Sequence, residues 1–158
     1  MKRGSTLFLK ISVFIIGAPV LALGIYGLIW LPSNSVNPDY AYILYPIIIG
    51  LYVSMIPFYT ALYKSFRLLQ YIDKNKAFST SSVVALKHIK FCAITVSIIY
   101  IAVLPFVFQV AELDDAPGLV LVGIVPIFAS MVIAIFAAVL QRLLQEAIHI
   151  KSENDLTV

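Results

Sequence analysis

The chain has 158 residues, of which 61% are apolar and 12% charged, with a formal net charge of +3. That composition fits neither an ordinary soluble domain nor a disordered chain. The positive balance does not point to nucleic acid either. Its residues flank apolar stretches, where anionic lipid accounts for them, so no direct nucleic-acid binding is expected.

Four stretches carry no Asp, Glu, Lys, Arg or His: residues 11–31, 41–63, 91–111 and 118–140. A helix of this length rises about 30 Å, the thickness of the hydrocarbon core. Such runs show no strand-like alternation, and a lipid-exposed backbone must satisfy its own hydrogen bonds. The expected fold is therefore all-α: a four-transmembrane-helix bundle, read as one integral membrane domain over residues 1–158. The first stretch is longer than a signal-peptide core and no small-x-small cleavage site follows it, so it is expected to stay. Tyr26 and Trp30 at its end, and Tyr40, Tyr42 and Tyr45 at the start of the next, have the character of interface anchors.

Charge sets the orientation. Lys2, Arg3 and Lys10 precede the first stretch. Lys64, Arg67, Lys74, Lys76, Lys87 and Lys90 lie between the second and third, and Arg142 and Lys151 follow the fourth. The two short loops hold only Asp39, and Glu112, Asp114 and Asp115. By the positive-inside rule both termini are expected in the cytoplasm, with the chain in the cell (inner) membrane.

Within the second stretch, Tyr45, Tyr52 and Tyr59 recur every seven residues and would share one helix face, with Tyr63 one turn further on. A seam with hydroxyls bonded across helices is expected, a ligand-pocket wall being the other reading. Gly17 and Gly24, and Ala134 and Ala138, are small pairs suited to close helix contact, within the chain or in a homo-oligomer. Pro occurs inside every stretch (Pro19, Pro46, Pro57, Pro105, Pro126) and is read as packing geometry rather than as a hinge.

A cytoplasmic hairpin is expected over residues 64–90. Phe66, Leu69 and Ile72 continue the second helix. Asp73-Lys74-Asn75-Lys76 is a turn signal, with Asn75 suited to a left-handed cap. Ser79 is a candidate N-cap, and Phe78 and Val83 have the spacing of a hydrophobic staple. The third helix should start near Thr80. After the fourth stretch, the C-terminal segment 141–158 is expected to run on helically for two or three turns, with Leu140, Leu143, Leu144, Ala147 and Ile148 on one apolar face. Helices 2, 3 and 4 thus extend into the cytoplasm as a short stalk.

Chemistry is sparse. No ionisable residue lies within a span, which argues against a proton-coupled carrier. Glu146 and His149 have a di-iron spacing but lack the second copy that such sites use. His88 and Cys92 are two ligands without two more. No nucleophile elbow, phosphate loop or carboxylate pair appears. No catalytic, cofactor or metal residue is assigned, and an enzyme is not expected.

The segments YIDKNKAFSTSSVVALKHIKF and QEAIHIKSENDLTV, set among four spans, resemble the YoaS-like family of small bacterial membrane proteins over essentially the whole length. The resemblance implies a bacterial inner-membrane four-helix protein and an association with small helix-turn-helix regulators. The expected function is a non-enzymatic membrane regulator that binds such a partner in the cytoplasm. The other readings are a small oligomeric transporter or pore, and an assembly partner of a larger membrane complex. The expected docking residues are Lys74, Lys76 and Phe78 in the hairpin and Glu153, Asp155, Leu156 and Val158 in the tail, which is taken as flexible until bound.

Overall fold

The computed structural model describes the backbone of residues 3–33 and 38–157, and the side chains of residues 6–30 and 42–156. It is all-helical: α1 (Arg3–Ser33), α2 (Pro38–Asp73), α3 (Thr80–Leu113) and α4 (Gly118–Thr157). At 1.5 Å per residue these are roughly 46, 54, 51 and 60 Å long. All four are long and apolar enough to cross a membrane. Each continues past its uncharged stretch toward the end that carries the Lys and Arg residues, called here the basic end. α1 does so too, which adds a fourth helix to the three expected there.

The helices pack in chain order. Among the described residues α1 lies against α2, α2 against α3 and α3 against α4, with no other helix pair in contact. The bundle is therefore an open row with α3 flanked on two sides. Its buried residues Ser82, Leu86, Ile89, Ala93, Val96 and Val103 follow alternating steps of four and three, or seven. Ile127, Ser130, Ala134 and Ala137 do the same on α4. Such spacing makes a narrow knobs-into-holes seam, and small side chains let the backbones approach. Two hydroxyls in these seams bond across helices. Ser97 Oγ donates to the Ile127 carbonyl at 3.3 Å, and Ser54 Oγ meets Tyr100 Oη at 3.0 Å.

α1 is held differently. Tyr52 Oη donates to the Gly24 carbonyl at 2.8 Å and Tyr59 Oη to the Gly17 carbonyl at 2.7 Å. The seven-residue tyrosine repeat on α2 thus reads the seven-residue glycine pair on α1, and that pair serves packing within the chain. At Gly24 a Cβ would stand 2.8 Å from Met55 Cε, so the missing side chain is space the neighbour uses. Tyr45 and Tyr63 are exposed and outside this seam. The prolines inside α2, α3 and α4 lie within continuous helices, as does Pro19 in α1.

α2 and α3 approach closely at Gly50, where an added Cβ would overlap Val103 Cγ2. Overpacking of this kind costs about 1–3 kcal/mol. Gly50→Ala is expected to lower the thermal unfolding midpoint of the detergent-solubilised protein. Adding Val103→Ala should return most of the loss. Additive losses in the double variant would mean that these two sites do not touch.

Candidate functional site

The turn at the basic end is built by its own polar groups. Asn75 takes φ 59°, the left-handed cap that its side chain tolerates. The Lys76 amide then donates to the Tyr71 carbonyl at 2.7 Å and the Asn75 amide to the Ile72 carbonyl at 3.1 Å. This pair of bonds is a Schellman motif, and it satisfies carbonyls that the end of α2 would leave open. Ser79 N-caps α3 in extended conformation, its Oγ accepting from the Ser82 amide at 3.4 Å. Ser79 Oγ also donates to the Lys76 carbonyl at 2.6 Å, joined there by Ser82 Oγ at 3.1 Å. The expected cap and turn are both present. Phe78 is 57% exposed, so it does not close a packed staple on Val83.

A second polar cluster ties α1 to this turn. Asp73, the last residue of α2, accepts from Thr6 Oγ1 and pairs with Lys10 Nζ at 2.5 Å. Thr6 is fully buried, and the Lys10 and Asp73 side chains are only 22% and 20% exposed. Lys10 also sits over the Phe66 ring, 5.6 Å from its centroid. Sequence reasoning took Asp73 only as part of a turn. One signal marked it: a carboxylate at a helix C-terminus opposes the macrodipole and needs a cation nearby.

The fourth helix passes the expected end. Residues 151–157 continue α4 instead of forming a flexible tail. No Gly or Pro interrupts this part, and two i,i+4 pairs lie along it: Arg142–Glu146 at 3.7 Å and His149–Glu153 at 3.1 Å. Leu144, Ala147 and Ile148 turn partly inward, and Lys90 Nζ donates to Gln141 Oε1 at 3.2 Å. Leu143 and Ile150, one heptad apart, are 56% and 59% exposed. The apolar face expected from spacing therefore divides, with Leu140 and Leu143 outside the seam.

The expected docking residues fall into two groups. Lys74, Lys76 and Phe78 share the exposed turn. Glu153, Asp155 and Leu156 lie on the uncovered end of α4, with Glu153 engaged by His149. Val158 lies outside the described residues. Among the described residues no ion pair joins Lys74 or Lys76 to Glu153 or Asp155. A separate cleft of about 480 Å³ opens at membrane depth between α1 and α2, lined mainly by apolar residues such as Val20, Leu23, Ile48 and Met55, with Tyr100 of α3 at its edge.

Four apolar membrane-crossing helices and a polar turn define a small multi-pass membrane protein. The chain belongs to the family described as "Protein of unknown function (DUF2975)", whose family model matches residues 31–158. It is similar to the "Uncharacterized membrane protein YoaS" of Bacillus subtilis (strain 168), with 60% identity over 160 residues covering 100% of both chains. No solved structure matches the chain.

The divided face of α4 gives a test. Ile148→Asp places a charge in the half-buried seam and is expected to cost about 2–3 kcal/mol. It should raise protease cleavage after Leu140. Leu143→Asp, on the exposed side, should leave cleavage unchanged. Equal sensitivity of the two variants would mean that α4 does not pack on α3 beyond the span.

Proposed function

We propose that this protein is a non-enzymatic membrane regulator whose basic end faces the cytoplasm. There it holds a small helix-turn-helix regulator at the membrane. The orientation rests on the Lys and Arg distribution and the positive-inside rule. The observation that carries the docking role is apolar surface left open beyond the spans: Phe78 in the turn, and Leu143, Ile150 and Leu156 on α4. Exposed apolar residues rimmed by charge are typical of protein-binding surfaces. Leu143 and Ile150 form a helix stripe that suits another helix or a groove. Lys74 and Lys76 add positive charge beside Phe78, and Asp155 adds negative charge beside Leu156. The helix-turn-helix identity of the partner rests on the family resemblance.

Two measurements test this reading. Reporter fusions within residues 73–79 and after Val158 should read as cytoplasmic, and fusions within 113–117 as external. An external reading after Val158 overturns the orientation. For docking, the full-length protein extracted in mild detergent should co-purify a small DNA-binding protein. Truncation after Lys151, Lys74→Glu with Lys76→Glu, and Leu143→Asp with Ile150→Asp should each reduce recovery severalfold. Undiminished recovery in all three places the partner elsewhere. Failure to recover any such partner with the full-length protein removes the tethering role and makes transport by an oligomer the reading to test.

A further inference from the structure

Three basic side chains near the membrane edge have a polar partner. Lys10 pairs with Asp73, Arg142 pairs with Glu146, and Lys90 donates to Gln141. Lys64 and Arg67 differ. Among the described residues neither forms an ion pair, and each lies over a tyrosine ring, Lys64 at 6.0 Å from the Tyr63 centroid and Arg67 at 5.6 Å from that of Tyr71. The acid nearest in sequence, Asp73, is occupied by Lys10 and Thr6.

Both cations line one cleft of about 300 Å³ between the end of α2 and the start of α3. Tyr71, Thr80 and Ser81 add hydroxyls to its wall, and Val84 adds an apolar side. Its depth is set by the chain. Lys64 and Arg67 follow the uncharged stretch 41–63 by one and four residues, which is about 1.5 and 6 Å of helix. That is the headgroup layer, roughly 5–7 Å thick on each side of the hydrocarbon core.

We propose that this cleft binds the phosphate headgroup of an anionic phospholipid. Lys64 and Arg67 provide the charge, and Val84 forms the apolar wall beyond them. The lipid's glycerol and acyl chains lie toward the membrane along Tyr63. Basic pockets between transmembrane helices recognise lipid headgroups in this way. A guanidinium in the pair favours phosphate, which it can grip with two parallel hydrogen bonds. A soluble acidic peptide fits less well, because both cations stand at the level of the headgroups.

The test is native mass spectrometry of the full chain in a neutral detergent, titrated with phosphatidylglycerol or phosphatidylcholine. The wild type should retain one phosphatidylglycerol in preference to phosphatidylcholine. Each cation near the surface is worth about fivefold in binding, so Lys64→Gln with Arg67→Gln should cut retention by about tenfold or more. Lys74→Gln with Lys76→Gln removes the same charge outside the cleft and should leave retention within about twofold. Val84→Phe fills the cleft without touching its charge and should also lower retention, which separates loss of the site from loss of charge. The melting midpoints of the variants serve as the control for folding. Equal loss in the cleft and turn variants overturns the proposal, as does full retention by the double cleft variant or by Val84→Phe. Displacement of the lipid by millimolar inorganic phosphate would reassign the cleft to a free anion and overturn the lipid assignment.

Discussion

Lipid tails are as apolar as leucine, so burying leucine between two helices in a bilayer gains little. That constraint explains why the close contacts of this protein are made by small and hydroxylated residues. α3 and α4 meet through Ala93, Ser97, Ser130, Ala134 and Ala137, all buried, while Phe128, Ile135 and Phe136 of α4 stay exposed. In water that distribution would look inverted. In lipid the large side chains are already in a good solvent, and the small ones gain by letting backbones approach. The row order follows from the same economy, because short connections place consecutive helices side by side and no apolar drive closes the row into a ring.

α1 has fewer small residues facing a neighbour, and its attachment is correspondingly polar. Two tyrosine hydroxyls reach its carbonyls, and Asp73 takes Thr6 and Lys10 at the basic end. Interhelical hydrogen bonds in membranes average only about 0.6 kcal/mol each, so the Asp73 cluster matters most for α1. Its groups are largely withdrawn from water, and removing one partner would leave the other charge uncompensated. Asp73 is also covalently next to Lys74. The residue that seats α1 is therefore the one from which the exposed turn begins, and the geometry of that turn cannot be separated from the seating of the first helix.

Much of this was legible in sequence. Uncharged stretches of bilayer length marked the spans. Asn75 and Ser79 were readable because cap and turn conformations depend on a few residues close in the chain. The tyrosine and glycine repeats matched because both follow the helical period. The Asp73–Lys10 pair was harder, since the partners lie 63 residues apart and only the packing of α1 on α2 joins them. The inward face of α4 was misread at Leu143 for a related reason. Spacing defines an apolar stripe, but the direction in which a neighbouring helix approaches decides which edge of it is covered. The length of α4 was underestimated because acidic and basic residues near a terminus look like a solvated tail, while their i,i+4 placement supports a helix.

The distribution of acids at the basic end bears on what that end can recognise. Asp73 is committed to α1, Glu146 to Arg142 and Glu153 to His149. The charges left for other molecules are thus mainly positive, and two pairs of them fall at different heights. Lys64 and Arg67 stand level with the headgroups. Lys74 and Lys76 follow Arg67 by seven and nine residues, about 10 Å further along the chain if helical rise is continued. That separation exceeds the thickness of the headgroup layer and approximates a Debye length. Lipid phosphates can neutralise the lower pair while the upper pair stays available to a soluble ligand. One basic end can therefore meet two kinds of anionic surface without their competing for the same residues.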